Sequence, residues 1–210
     1  MSKFEVTTTQ GHGYVSTNSA EAFKTNTSLM DLPQIDTVVT RDLIDDIGFT
    51  NSSDVTQYFG LSDFYQGEAF AARGYRIAYA YVDDIPSNQP YEDNSYVDSY
   101  EIIKGPAQVL YLGANLSGTV LKDTKKPLPF RQDLVTFSIN SGNDHYLWHA
   151  MIDSTGPLGQ IGDAKVGYRL VLADRGGPSY WTNDNEPMLT VFPTIQGTGK
   201  TPRPASISIT

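Results

Sequence analysis

The last third of the chain alternates between apolar and polar residues, and this pattern constrains the fold more than any other feature. From about residue 131 the alternation runs through segments of roughly ten residues, as in DLVTFSINSG, DHYLWHAMIDS and AKVGYRLVLADRGG. The connections SGND and TGPLGQIGD are short and rich in glycine. A period of two places successive side chains on opposite faces of a sheet. The pattern therefore predicts antiparallel strands, of the kind that build transmembrane β-barrels.

The preceding residues mix short helical and strand-like stretches. IDTVVTRDLIDDIG predicts a strand followed by an amphipathic helix, with Thr40 as its N-cap and Gly48 just after its last residue. SSDVTQYFG predicts a second helix, with Ser52 or Ser53 as the N-cap and Tyr58 and Phe59 facing inward. AFAARGY and AYAYVDDIP then predict strands. This part of the chain is therefore expected to be a mixed α/β unit, whereas residues 187–210 show no clear pattern and predict a ragged end.

Composition and charge exclude several classes of function. The formal net charge is −9, and the basic cluster at residues 122–126 is too short to make a nucleic-acid surface. The absence of cysteine excludes disulfides and thiolate chemistry. His145 and His149 lack a third residue at metal-ligand spacing, so no metal site is predicted. No nucleophile and base stand in a recognisable order, so we expect neither an enzyme nor a bound cofactor.

The N-terminal residues predict an extended arm. Residues 1–28 are rich in Thr, Ser, Asn and Gly and show little periodicity. MSKFEVTTTQGHGY lacks the apolar run of a signal peptide, so no export signal is expected in the sequence as written. A chain that begins after signal cleavage would look the same. No stretch approaches the roughly 18 apolar residues of a membrane helix.

Five stretches resemble, in order and spacing, the plug domain of TonB-dependent outer-membrane receptors. They are DLPQIDTVVTRDLIDD, AARGY, YVDDIP, YEIIKGPAQVLYLGANLSGTV and TKKP, and they cover roughly residues 29–127. The family usually has a VDG strand and an IEVLRGP strand at the third and fourth of these places. Here Asp84 stands in place of the glycine and Lys104 in place of the arginine. The following strands, including GYRLVLA, resemble the first strands of the family's barrel.

The resemblance implies an α+β fold in three parts. A flexible arm at 1–28 precedes a compact mixed-sheet plug domain with short helices at 29–131. Residues 132–210 are then the first antiparallel strands of an incomplete β-barrel, with a ragged C-terminal end. A plug of this kind fills a 22-stranded barrel, whereas these 79 residues hold at most about five or six strands. We therefore expect a fragment or truncated product that does not transport alone and whose partner is the missing barrel domain.

The segment KFEVTT resembles the TonB box, through which such receptors bind the TonB C-terminal domain. Its β-prone residues would add a strand to the edge of the partner sheet. The residues predicted to make this contact are Phe4, Glu5, Val6, Thr7 and Thr8. Without the resemblance, the same segment reads as a frayed terminus.

Two further groups of residues take their predicted roles from the resemblance. A latch between the plug and the barrel wall is predicted at Arg73, Lys104, Gly105 and Pro106, where the ammonium of Lys104 would reach an acidic partner on the wall. Apical loops that contact the ligand are predicted at Tyr75, Arg76, Asn88, Gln89 and Tyr91, whose side chains offer hydrogen bonds and stacking faces.

The function implied by the resemblance is gating and ligand contact in an outer-membrane receptor for a scarce small molecule, such as a ferric siderophore, another metal chelate or a glycan. No cofactor is needed, because the inner-membrane proton gradient supplies the energy through TonB. One alternative stays open, a soluble extracellular β-rich module that binds carbohydrate. Such a module would bury residues 132–174 as a sandwich core and use the aromatic side chains of Tyr146, Trp148, Tyr180 and Trp181.

Overall fold

A computed structural model describes ten ranges of the chain. They are residues 18–19, 27–28, 35–64, 69–77, 80–87, 93–104, 117–142, 145–177, 187–198 and 205–208. The chain divides into two compact units, Met1–Thr124 and Lys125–Thr210. The division falls at the peptide bond between Thr124 and Lys125, earlier than the border at residue 131 that the sequence predicts.

The first unit contains short strands and two helices among its described residues. The strands are β1 Asn18–Ser19, β2 Thr27–Ser28, β3 Ile35–Thr40, β4 Ser62–Phe64, β5 Ala69–Ala72, β6 Tyr75–Ile77, β7 Ala80–Val82, β8 Ile85–Ser87, β9 Val97–Lys104 and β10 Thr119–Thr124, and the helices are α1 Arg41–Ile47 and α2 Ser52–Tyr58. The main sheet has the order β3-β9-β10-β7-β8. β10 and β7 are parallel, and the other pairs are antiparallel. Smaller sheets join β1 to β2 and β4 to β5 and β6.

The core of the first unit lies around its two central strands. Tyr100, Ile102 and Ile103 of β9 and Val120 of β10 are fully buried. Consecutive isoleucines are both buried because β9 is covered on its two faces. Antiparallel sheets more commonly leave one face solvated. Burying each such side chain stabilises the fold by about 1.5–3 kcal/mol.

The first helix begins and ends where the sequence predicts. Thr40 takes the extended N-cap conformation, and Gly48 follows the helix with a φ of 81°. A left-handed residue at this position lets the backbone N–H of Gly48 bond to Ile44 O. Glycine adopts that conformation without the steric cost that other residues meet.

The second helix differs from the prediction in its cap and in its buried face. Asn51 is the N-cap, and its side chain accepts a hydrogen bond from the N–H of Asp54 at 2.8 Å. Ser52 lies inside the helix, where its hydroxyl hydrogen-bonds to that of Tyr100 at 2.7 Å. Because this serine faces the sheet, Tyr58 lies on the opposite side and is 66% exposed. The prediction that Tyr58 faces inward is therefore wrong.

The second unit is one antiparallel sheet with strands in sequence order. Its strands are β11 Gln132–Gly142, β12 His145–Ile161, β13 Ala164–Gly176, β14 Met188–Thr198 and β15 Ala205–Ser208. The register aligns Val135, Ile152, Leu172 and Val191 in one row across four strands. A bulge lies between Pro157 and Gly159 in β12.

Part of the stretch predicted as a ragged end, Met188–Thr198, forms a strand. Leu189, Val191 and Ile195 of β14 are exposed, whereas Thr194 is buried on the other face. The alternation is present in MLTVFPTIQGT, but a proline such as Pro193 argues against a central strand. Pro193 lies just before the segment Thr194–Gly197 that pairs with β15, so the missing N–H coincides with the start of that pairing.

Helices in the described ranges are seven residues long, too short to pass through a bilayer.

Candidate functional site

One face of the second unit's sheet is mostly apolar and uncovered, although the exposed Asp174 lies on it beside Leu189. The side chains on this face are Val135, Phe137, Ile139, Ile152, Leu172, Leu189, Val191 and Ile195, here called the apolar face. Most are about half exposed or more, and Val135 reaches 75%. Water-soluble monomers rarely expose apolar residues contiguously across four strands. In a membrane barrel, the same pattern faces the lipid hydrocarbon.

A polar row lies at one end of the apolar face. Asp133 Oδ1 accepts a hydrogen bond from Ser154 Oγ at 2.6 Å, and Ser154 Oγ lies 3.2 Å from the hydroxyl of Tyr168. Arg131 donates to Asp133 Oδ2 at 3.0 Å. Tyrosine with hydrogen-bonding neighbours suits the boundary between an apolar layer and water. The apolar face thus ends in a row that resembles a membrane interface.

The opposite face of the same sheet carries buried charge. The carboxylate of Asp153 accepts hydrogen bonds from Arg169 Nε and Nη2 at 2.9 and 2.8 Å, and from Lys125 Nζ at 3.0 Å. The side chains of Asp153 and Lys125 are only 3% and 4% exposed. A bidentate arginine and a second cation satisfy the carboxylate, as a buried charge requires. We call these three residues the ionic cluster.

The ionic cluster binds the residues that lead into the sheet. Arg169 Nη1 donates to Lys126 O at 3.0 Å. The N–H of Leu128 donates to Thr155 Oγ1 at 2.9 Å, and that hydroxyl donates in turn to Tyr168 O at 2.9 Å. Residues 125–128, here called the strap, are therefore fixed by both side-chain and backbone contacts to β12 and β13.

Gly167 allows the strap to lie flat on β13. A Cβ at this position would stand 2.9 Å from Pro127 Cβ, closer than such atoms approach in proteins. Two carbon atoms at their optimal separation are about 3.5–4.0 Å apart. A larger residue here would push the strap away from the sheet.

Two residues of the predicted latch come together in the first unit. Lys104 Nζ donates to Phe59 O at 2.8 Å, just beyond the end of α2. Arg73 Nη2 lies 3.4 Å from Lys104 O. α2 has no basic residue in its last turn, so Lys104 supplies from β9 the positive charge that a helix C-terminus favours. The predicted contact of Lys104 with a barrel wall stays a prediction, and Gly105 and Pro106 lie outside the described residues.

Gly118 lies against the same end of β9. Its φ is 140°, and a Cβ there would stand 2.1 Å from Ile103 O. No side chain fits that space, because the obstructing atom belongs to the backbone. Gly118, near the end of YEIIKGPAQVLYLGANLSGTV, is thus required because the start of β10 approaches β9 closely.

The turn between β7 and β8 is tied to the end of β10. Asp83 and Asp84 both have positive φ, 45° and 71°. The carboxylate of Asp83 accepts hydrogen bonds from Thr124 N at 3.0 Å and Thr124 Oγ1 at 2.6 Å. Asp84 occupies the position at which the VDG pattern has glycine, which suits this conformation better.

The remaining predicted sites are described only in part. Tyr75 is 69% exposed and Arg76 is also exposed, both on β6. Their side chains are therefore accessible. Asn88, Gln89 and Tyr91 lie outside the described residues, as do Phe4, Glu5, Val6, Thr7 and Thr8.

The ionic cluster was missed by the sequence reasoning. Lys125 belongs to TKKP, Asp153 to MIDSTG and Arg169 to GYRL, each of which the sequence shows plainly. Asp153 and Arg169 lie on either side of the short turn between β12 and β13, eight residues before Ile161 and five residues after Ala164. Pairing the two segments about that turn would have placed them as diagonal neighbours on one face.

Comparison with known proteins identifies relatives of this chain. No protein-family model matches the chain. It is 30% identical over 187 residues to the metal-pseudopaline receptor CntO of Pseudomonas aeruginosa, which covers 79% of this chain and 24% of the relative. It is 28% identical over 170 residues to the ferric-pyoverdine BN7/BN8 receptor of Pseudomonas putida, covering 75% and 20%. The chain thus spans about a quarter of the length of these curated relatives.

The solved structures agree in fold. The pyoverdine outer membrane receptor FpvA of Pseudomonas aeruginosa superposes with a TM-score of 0.82 at 24% identity, over 93% of this chain and 30% of that one. The relatives are TonB-dependent siderophore receptors, and the chain is homologous to a part of them. The alcaligin receptor FauA of Bordetella pertussis matches with a TM-score of 0.75 at 23% identity, over 92% and 35%. The α+β fold predicted from the sequence is confirmed.

The receptor family also decides between the two functional classes. The relatives reported above are receptors rather than enzymes. They give no support to the carbohydrate-binding module. The uncovered apolar face argues the same way, since a sandwich would bury this face in its core.

Proposed function

We propose that this chain is the gating and ligand-contacting part of a TonB-dependent receptor in the outer membrane of a Gram-negative bacterium. Its first unit would be the plug, and its second unit the beginning of the barrel wall. The ligand class that we propose is a metal chelate of the siderophore type, because the relatives' names specify pseudopaline and pyoverdine. The chain alone is not proposed to transport, because a barrel wall needs further strands to close.

The observation that carries this proposal is the contrast between the two faces of the second unit's sheet. The apolar face is uncovered across four strands, whereas the opposite face holds a buried, fully paired Asp153. A barrel wall needs this division, with hydrocarbon on one side and a polar lumen on the other. A water-soluble sheet would bury its apolar face and solvate its charges.

The plug would contact both TonB and the ligand. We propose that Phe4, Glu5, Val6, Thr7 and Thr8 add a strand to the sheet of the TonB C-terminal domain. At the ligand end, we propose contacts from Tyr75, Arg76, Asn88, Gln89 and Tyr91. The exposure of Tyr75 and Arg76 supports this assignment, because a stacking ring and a guanidinium suit an anionic or aromatic chelate.

A binding experiment tests the proposal. The chain is folded in detergent micelles and captured on immobilised TonB C-terminal domain, beside a matched variant in which residues 3–8 are scrambled at constant composition. We expect capture of the unaltered chain and its loss on scrambling. Equal capture of both chains would contradict the assignment of residues 3–8 as the TonB-binding segment. Failure to capture either chain would contradict the proposal that TonB is a partner.

A further inference from the structure

The chain passes from one unit to the other without any intervening linker. Thr124 is bound to the first unit through the carboxylate of Asp83, at 3.0 Å from its N–H and 2.6 Å from its hydroxyl. Lys125, the next residue, is bound to the second unit through Asp153 at 3.0 Å. Because the two residues are neighbours, tension along the chain acts on both sets of contacts through a single peptide bond.

The contacts on the two sides of this peptide bond differ in number and burial. On the first-unit side, Asp83 is half-buried, its two hydrogen bonds to Thr124 are part-buried, and its own backbone has a strained φ of 45°. On the second-unit side, the strap is bound by Asp153, by Arg169 through Lys126 O, and by Thr155 through the N–H of Leu128. Only the bond between Lys125 and Asp153 is buried among these contacts, and a buried charge-assisted hydrogen bond is stronger than a partly solvated one.

The strap also matches the surface beneath it in shape. Pro127 lies over Gly167, where a Cβ would approach to 2.9 Å. Pro127 also fixes its own φ, so that the strap has little freedom to swing away from the sheet. Neither feature is needed for a passive connection, which would be served by a flexible, polar segment.

We infer that residues 125–128 form a fixed anchor, which stays bound to β12 and β13 while the first unit opens or is pulled out. The anchor would set where unfolding stops: β10 and the turn at Asp83 are released, and the chain from Lys125 onward is held. The origin of a pulling force rests on the proposed function, because TonB would supply it. The anchor itself rests only on contacts within the second unit.

Hydrogen exchange tests the anchor without TonB. The full chain is folded in micelles, and exchange is followed for the amide of Leu128, for amides of β10 and for amides of β12 and β13. Two mild core variants perturb one unit each: Ile102→Val in β9, which is fully buried, and Val171→Ala in β13, which is 1% exposed. Each removes only one or two methyl groups, so both chains are expected to fold.

The anchor predicts that the two variants act differently on Leu128. Ile102→Val lowers the protection of the β9 and β10 amides by roughly two- to tenfold and leaves Leu128 unchanged. Val171→Ala lowers the protection of Leu128 together with β12 and β13. The inference is overturned if Ile102→Val lowers the protection of the Leu128 amide as much as that of the β10 amides. It is also overturned if Val171→Ala leaves the protection of the Leu128 amide unchanged. Absent TonB binding would remove the proposed pulling force but would not alter these exchange results.

Discussion

Thr124 and Lys125 adjoin in the chain, yet aspartates of different units hold their side chains. The hydroxyl of Thr124 donates to Asp83 at 2.6 Å. The ammonium of Lys125 donates to Asp153 at 3.0 Å. The division between the units therefore falls on a single peptide bond.

Asp153→Asn is expected to destabilise the second unit strongly. The substitution leaves Lys125 and Arg169 buried without their carboxylate, and breaking such a pair typically costs about 3–5 kcal/mol. Asp133→Asn is the matched control, because the pair of Asp133 with Arg131 is exposed and such pairs contribute about 0–1 kcal/mol. Denaturant unfolding in micelles measures both. Equal losses would mean that the ionic cluster does not hold the sheet.

Asp84→Gly is expected to stabilise the first unit by about 0.5–1 kcal/mol, because glycine relieves the φ of 71° in the turn. Asp83→Gly in the same turn is the matched comparison. It relieves a similar φ but removes both hydrogen bonds to Thr124, so a net loss of about 1–2 kcal/mol is expected. Thermal unfolding shows whether each variant is more or less stable than the unaltered chain. Stabilisation by both would show that Asp83 contributes nothing through Thr124.

Gly118→Ala is expected to prevent normal pairing of β9 and β10. The added Cβ would stand 2.1 Å from Ile103 O, which cannot move without breaking the central sheet. We expect a loss of at least about 3 kcal/mol. Gly74→Ala also places a side chain at positive φ, 78°, but meets open space, so a loss of about 1 kcal/mol is expected. Near-equal losses would show that conformation, rather than the close approach, makes Gly118 necessary.

Local signals predicted much of this fold from the sequence. The alternation in DLVTFSINSG and AKVGYRLVLADRGG gave β11 and β13, and Gly48 marked the end of α1. Such features depend on residues close in the chain. The prediction of Ser52 or Ser53 as the N-cap was wrong, because Asn51 can also cap and the contact of Ser52 with Tyr100 turns that serine inward.

The ionic cluster was beyond local reasoning for a different reason. Lys125 lies 28 residues from Asp153, and only the register of β12 against β13 brings Arg169 to the same carboxylate. Likewise, Pro193 suggests a strand break from the sequence, whereas the structure places it inside β14, paired with Leu170 and next to the segment that pairs with β15. Side-chain contacts of this kind can be predicted only after the pairing of the strands is known.

The most direct test of the whole account is a lipid-exposure scan along β11. The chain has no cysteine, so single cysteines at Val135, Thr136, Phe137, Ser138 and Ile139 give unique sites for a fluorophore. In vesicles of brominated lipid, a barrel wall predicts strong quenching at 135, 137 and 139 and weak quenching at 136 and 138. Uniformly weak quenching along the strand would contradict the account, because the apolar face would then not lie in the membrane.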